Sequence, residues 1–313
     1  MAHRFALSHA SGITAEAILE KMSESGVSPD SVVLLDDESR AGSRIAFGGR
    51  HLPVSDQLQY DLSDCAVLLL TQPEPELEAA AVQQGCLLVS HAIDDDRPAI
   101  FVGEGSAEPE LAYSETRLRL ASPELACLLP SLIALDRLAG ISRLQLTLLR
   151  SAEFHGKAGV DELASQTVNL LNARAVEPRV FPRQIAFSLI PETTSPGLAA
   201  DLRHYLGNSS CSLSVQSVNV PLFHGFAAAV QLGFSAEASL ESCRECLDRL
   251  DNVTLDDSLS SDEENPFGCT LGMVEQAPHQ PPNLQFWLSA DAMRYGLANN
   301  YVNVLDFLLK SFL

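Results

Sequence analysis

The chain has 313 residues, 46% of them hydrophobic, with a mean hydropathy of +0.08, enough for two domains that each bury a core. Its 41 acidic side chains face 20 basic ones, a formal charge of -21, and that field excludes nucleic acid and anionic membrane as natural partners. No apolar run is as long as a membrane span, the first residues lack a secretory core, and seven scattered cysteines point to reduced thiols, so a cytoplasmic protein is expected.

In chain order, short apolar runs alternate with helical periods, the pattern of βαβ units around a mostly parallel sheet. Arg4 to Ser8 reads as a strand, after which Ser11 or Thr14 caps a helix that runs to about Ser25 and stops at Gly26. Ser31 to Asp37, SVVLLDD, is a second strand ending on two acids. In a dinucleotide fold an acid about 20 residues beyond the glycine turn holds a ribose hydroxyl and repels a 2′-phosphate. The turn itself, SHASGIT from Ser8 to Thr14, holds one glycine, Gly12, where such a loop takes three. Ser11, Gly12, Ile13 and Thr14, together with Asp36, are therefore candidate cofactor contacts in a weakened or absent phosphate cradle; a plain strand-to-helix turn is the competing reading. Strands from Cys65, Cys86, Ala99 and Arg117 and a helix over 76–84 continue the sheet, while 94–97 and the acidic stretch 256–265 read as solvated loops.

Ala121 to Gly140 is apolar on nearly every side and predicts a buried helix with Pro123 in its first turn. Cys127 falls near its start, where unpaired N–H groups favour a thiolate and hold anions; among leucines, a cysteine otherwise serves as an inert small apolar residue. Next come a strand from Ser142 and a helix with Val160, Leu163, Val168 and Leu171 at helical spacing. Further strands are expected from Gln184 (QIAFSLIP), as one long run from Leu213 to Phe234, and from Leu284. Tyr295 to Leu313 closes the chain as an amphipathic helix with Leu297, Tyr301, Val304, Leu305 and Leu308 on its apolar side. Cys243 and Cys246 form a C-x-x-C inside an amphipathic helix, without a second pair at zinc spacing, and no metal site is expected.

Gly156-Lys157-Ala158-Gly159 precedes Asp161-Glu162-Leu163 and Gln166-Thr167; then follow Ile185-Ala186-Phe187 with Ile190-Pro191, Val218 to Gly225, and Arg294 to Asn300. In this order they resemble the aspartate-semialdehyde dehydrogenase family over essentially the whole chain. The resemblance implies an α/β fold with a Rossmann-type NAD(P)-binding-like domain over 1–120 and 296–313. An α+β dimerisation and substrate-type domain over 121–295 completes it, and with it a homodimer. It also implies the family's reaction, in which NADP oxidises an aldehyde that phosphate captures, through a thioester on cysteine.

That chemistry needs a thiolate, a histidine to take the proton, an anchor for the substrate carboxylate and donors for the oxyanion. The family's nucleophile position falls on Leu125 when counted from Pro123 and on Ala126 when counted back from Ala134, so Cys127 is one or two residues late. Phe226 stands at the family's histidine and Asn219 at its arginine, while His224 is expected on the same strand face as Phe226, roughly 7 Å away. Arg150 aligns with the family's glutamine, Asp201 with its glutamate, and Glu153-Phe154-His155-Gly156 with its S-G-A-G loop; Asn300, beside the nicotinamide in the family, is kept. The expectation is a non-catalytic homodimeric paralogue acting as a scaffold, an enzyme partner or a ligand binder. One alternative is an active NADP-dependent dehydrogenase of amino-acid biosynthesis that uses Cys127 and His224; another is a sensor of NAD-type dinucleotides.

Overall fold

In the computed structural model, residues 4–93, 97–112, 114–193, 196–208, 210–257, 266–276 and 283–311 are described. The expected loop at Asp94 to Asp96 and most of the acidic stretch, 258–265, lie outside them. The chain divides into two compact units, Met1–Pro123 with Leu297–Leu313, and Glu124–Gly296.

The first unit runs β1 (Arg4–Leu7), α1 (Ile13–Glu24), β2 (Val32–Asp36), β3 (Arg44–Phe47), β4 (Arg50–Asp56), β5 (Cys65–Leu69), α2 (Pro75–Gln83), β6 (Leu87–Ser90) and β7 (Arg117–Arg119). The sheet order β3-β4-β2-β1-β5-β6-β7 is parallel except for the β3–β4 hairpin, which makes it the Rossmann-type sheet that the alternating pattern predicts. Order reverses between β1 and β5, where Thr71 N–H donates to the Ser8 hydroxyl (3.1 Å). Val33, Leu35, Leu68, Leu70, Leu77 and Leu88 form the core on one face.

Two expectations for this unit are corrected, and one hairpin is added. Gly12, not Ser11 or Thr14, is the α1 N-cap, and no side chain caps it. Ala99 to Gly103 pairs only through an isolated bridge, Ile100 to Leu120, and goes no further because the next ladder donor, the Val102 N–H, is taken by the Asn300 side chain (2.9 Å). The β3–β4 hairpin escapes the sequence reading although Gly48 and Gly49, both at positive φ, supply its two-residue turn.

The second unit begins at α3 (Pro123–Ala139), buried as expected, and continues with β8 (Ile141–Arg150), α4 (Gly156–Leu171), β9 (Ile190–Glu192), α5 (Pro196–Tyr205), β10 (Ser212–Asn219), β11 (Phe226–Phe234), α6 (Leu240–Asp248), β12 (Val253–Leu255), β13 (Cys269–Gln276) and β14 (Asn283–Ala290). A π-helical turn, Ala292–Ala298, then leads to the C-terminal helix α7 (Asn299–Ser311), which packs on α1. The mixed sheet is ordered β12-β13-β14-β11-β8-β10-β9.

The long strand expected from Leu213 to Phe234 is two strands, β10 and β11, which lie on opposite sides of β8; the break is the turn 220–225, with Gly225 at φ +94°. QIAFSLIP is a turn that becomes a strand only at Ile190. Gln166 Oε1 accepts the Ile185 and Ala186 N–H groups (2.9 and 3.2 Å), and Phe187 sits at φ +59°, so the segment has no ladder to offer. On α4 the predicted period is present, yet Val168 and Leu171 are 56% and 75% exposed and only Leu163 is buried. Gly159 is required there, since a Cβ would meet the Ala152 carbonyl oxygen at 2.4 Å.

Candidate functional site

Strand register brings three of the expected positions side by side. Arg150, the last residue of β8, is paired with Asn219 at the end of β10 on one side and with Phe226 at the start of β11 on the other. The row therefore reads Asn219, Arg150, Phe226. Its guanidinium is one strand removed from the position where the resemblance places a carboxylate anchor, and it is not available as one. Arg150 Nη1 donates to Glu192 Oε2 at 2.8 Å, and the guanidinium carbon stands 4.8 Å over the Phe154 ring. Asn219 Nδ2 donates to the same Glu192 oxygen (3.2 Å), and its Oδ1 lies 3.2 Å from His155 Nε2. Arg150 Nε is buried without a hydrogen-bond partner among the described residues. Phe226 is 3% exposed and packs on Phe154 with ring centroids 5.9 Å apart.

Cys127 lies one full turn inside α3, past the unpaired N–H groups that would favour its thiolate. Its side chain is fully buried, as are Leu125 and Ala126 beside it. Burial pushes the thiol well above its ordinary range, and Cys269, Glu124, Asp291 and Glu153 push it further in the same direction. None of these is a cation or an imidazole, and a thiol without either stays protonated.

His224 is in the turn before β11 and not on the strand face where it was expected. Its Nδ1 lies 2.9 Å from Glu153 Oε2, and its side chain is 60% exposed against 2% for Glu153. Glu153 Oε1 also accepts the Gly225 N–H (2.7 Å) and the Ser151 hydroxyl (3.2 Å). Ala152 and Glu153 N–H donate in turn to the Leu222 and Phe223 carbonyls, so the segment after β8 is stitched to the β10–β11 turn. A carboxylate at hydrogen-bond distance from Nδ1 orients the imidazole. The sequence reading located Glu153 but not this role, and Glu192 carried no sequence signal at all. Asp201, on α5, is buried.

In the first unit, Asp36 is 5% exposed and its carboxylate turns back into the strand-to-helix turn: Oδ2 accepts the Ser11 N–H at 2.7 Å and Oδ1 the Asp37 N–H at 2.9 Å. Gly12, Ile13 and Thr14 follow at the head of α1, whose cap bond runs from Glu16 N–H to the Gly12 carbonyl. Asn300 is 1% exposed and its amide is spent on the 100–102 backbone. Among the described residues no cluster of His, Cys, Asp and Glu is able to hold a metal ion.

Residues 134–295 match the family described as "Semialdehyde dehydrogenase, dimerisation domain". The chain is 26% identical over 332 residues to an aspartate-semialdehyde dehydrogenase of Legionella pneumophila, covering 97% of this chain and 95% of that one. To a USG-1 protein homolog of Pseudomonas aeruginosa it is 28% identical over 336 residues, 97% of each. Its fold is similar to the crystal structure of aspartate semialdehyde dehydrogenase II of Vibrio cholerae complexed with ASA, with a TM-score of 0.88, 24% identity and full coverage of both chains.

Proposed function

Because the chain belongs to the aspartate-semialdehyde dehydrogenase family, we propose that it keeps the family's fold and dimer and has lost the family's reaction. On this reading it is a non-catalytic homodimeric paralogue that serves as a scaffold, an enzyme partner or a binder of some other ligand. The carrying observation is the row at the end of the second sheet. Where the reaction needs a proton acceptor the row has Phe226, and where it needs a carboxylate anchor it has Asn219. Its one guanidinium, on Arg150, is already paired with Glu192.

Cys127 adds to this. A buried thiol among acids is neither ionised nor open to a carbonyl carbon, and a nucleophile must be both. In a serine protease, loss of nucleophile or base alone costs roughly a millionfold in turnover, and the losses do not add. On that scale the residual reaction here falls below detection.

The dimer rests on the matched dimerisation domain and on the uncovered apolar side chains of α4 within it. No helix among the described residues is long and apolar enough to cross a membrane, and the proposal places the protein in the cytoplasm.

The direct test incubates the protein at high concentration with aspartate semialdehyde, NADP and phosphate and follows NADPH. None above buffer is expected. NADPH that appears with the wild type and disappears in Cys127→Ser would overturn the reading and restore Cys127 and His224 as working groups.

A further inference from the structure

NADP is the cofactor that the family implies, and the turn between β1 and α1 is where its pyrophosphate would lie. The residues of this turn do not fit it. A pyrophosphate cradle presents backbone N–H groups to the ligand and uses glycine so that phosphate oxygens come close. Here Ser8 N–H donates to the Leu69 carbonyl (3.0 Å), Ala10 N–H to Leu35 (2.9 Å) and Gly12 N–H to His9 (2.8 Å). Ser11 N–H, between them, donates to Asp36 Oδ2 at 2.7 Å.

Asp36 is not arranged as a ribose clamp. A clamp holds its carboxylate out toward the ligand, whereas this one is 5% exposed and its second oxygen accepts the Asp37 N–H. The Ser11 amide stands one residue before the α1 N-cap, where the helix dipole also favours an anion, and here Asp36 supplies it. A phosphate oxygen at Ser11 would have to displace that carboxylate or sit against it with like charge, and Asp37 and Glu38 follow directly.

We infer that Asp36 is a built-in anion that closes this turn, so that the chain takes neither NADP nor NAD, and that removing the carboxylate opens an anion seat at the Ser11 amide. The full-length protein is melted with NADP, NAD or inorganic pyrophosphate at millimolar concentration, each against KCl of equal ionic strength. Wild type, Asp36→Ala and Glu38→Ala are compared; the last loses the same charge from an exposed position. Neither dinucleotide is expected to move the wild-type midpoint. Asp36→Ala is expected to melt several degrees lower and to regain part of that loss saturably with pyrophosphate, as binding to the folded state requires; Glu38→Ala is expected to behave as wild type.

Saturable stabilisation of the wild type by either dinucleotide overturns the inference, and so does an Asp36→Ala protein that responds to pyrophosphate no more than Glu38→Ala. If Asp36→Ala is insoluble, Asp36→Ser makes the same comparison with a side chain too short to fill the seat. Binding of NADP without turnover would sink this inference and leave the non-catalytic reading standing; formation of NADPH would sink both.

Discussion

Glu153 holds three donors with a carboxylate that is almost fully buried: the Gly225 N–H, the Ser151 hydroxyl and His224 Nδ1. Removing the acid takes the acceptor from the half-buried Gly225 N–H and from the Ser151 hydroxyl, which is 1% exposed, and a buried donor left without an acceptor costs about 1–3 kcal/mol. Glu153→Ala is therefore expected to lower the free energy of unfolding by about 2–3 kcal/mol in urea titration. His224→Ala removes only the exposed member of the pair and should cost less than about 1 kcal/mol. Equal losses in the two variants would show that the imidazole, and not the turn amide, is what Glu153 holds in place. Asp36, Glu192 and Glu153 share one trait: each puts an internal carboxylate on a donor of a candidate site. This is why the candidate residues were hard to weigh from sequence. Spacing can find His224 or Arg150, but it cannot show that Glu153 or Glu192 has already claimed them.

Among the elements, α7 is fastened to its unit by polar side chains as much as by its apolar face. Tyr301 hydroxyl donates to the Leu70 carbonyl at 2.8 Å beyond β5 and accepts from the His91 N–H (3.2 Å) beyond β6, with His91 Nδ1 3.0 Å away. Burial pushes the His91 imidazole from 6.5 down to about 4, so the folded unit holds it neutral while the unfolded chain protonates it near 6.5. The folded state thus binds fewer protons between these values. Its full stability is present above pH 6.5 and is lost as pH falls toward 4, by up to about 3 kcal/mol. Urea titrations at pH 7, 5.5 and 4.5 should show this loss in the wild type and a shallower one in His91→Gln; parallel slopes would mean that His91 titrates normally. The apolar face of α7 was legible because Tyr301, Val304, Leu305 and Leu308 recur at helical spacing, continued by Leu297 in the π-helical turn before it, and all are buried. Periodicity likewise exposed β1, β2, β5, β6 and β7 and the buried α3. It failed at QIAFSLIP, where a distant glutamine takes the backbone N–H groups, and across 220–225, where a glycine at positive φ folds one apolar run into two strands. The first failure comes from a contact between residues 19 and 20 apart in sequence, which no local pattern carries, whereas the second had a local signal in Pro221 and Gly225 that the apolar run outweighed.

For the molecule as a whole, a charge of -21 sets a cost on bringing two copies together, which apolar burial must exceed. Of the exposed apolar side chains in the segment matched by a dimerisation domain, Leu171 on α4 is the most open at 75%, with Val168 beside it on the same helix at 56%. Burying one leucine side chain contributes about 1.5–3 kcal/mol, and in a two-fold interface each substitution is counted twice. Leu171→Asp should then weaken the dimer by about 3 kcal/mol or more, at least 100-fold in Kd, and the added like charges act in the same direction. Salt should act oppositely, tightening the wild-type dimer as the repulsion between two acidic surfaces is screened. Sedimentation equilibrium of both proteins at 0.05 and 0.5 M KCl would measure the two effects together. A Leu171→Asp dimer as tight as the wild type would move the interface away from α4. A dimer that loosens with salt would mean that pairing between opposite charges holds the copies together, and the apolar face would need another occupant.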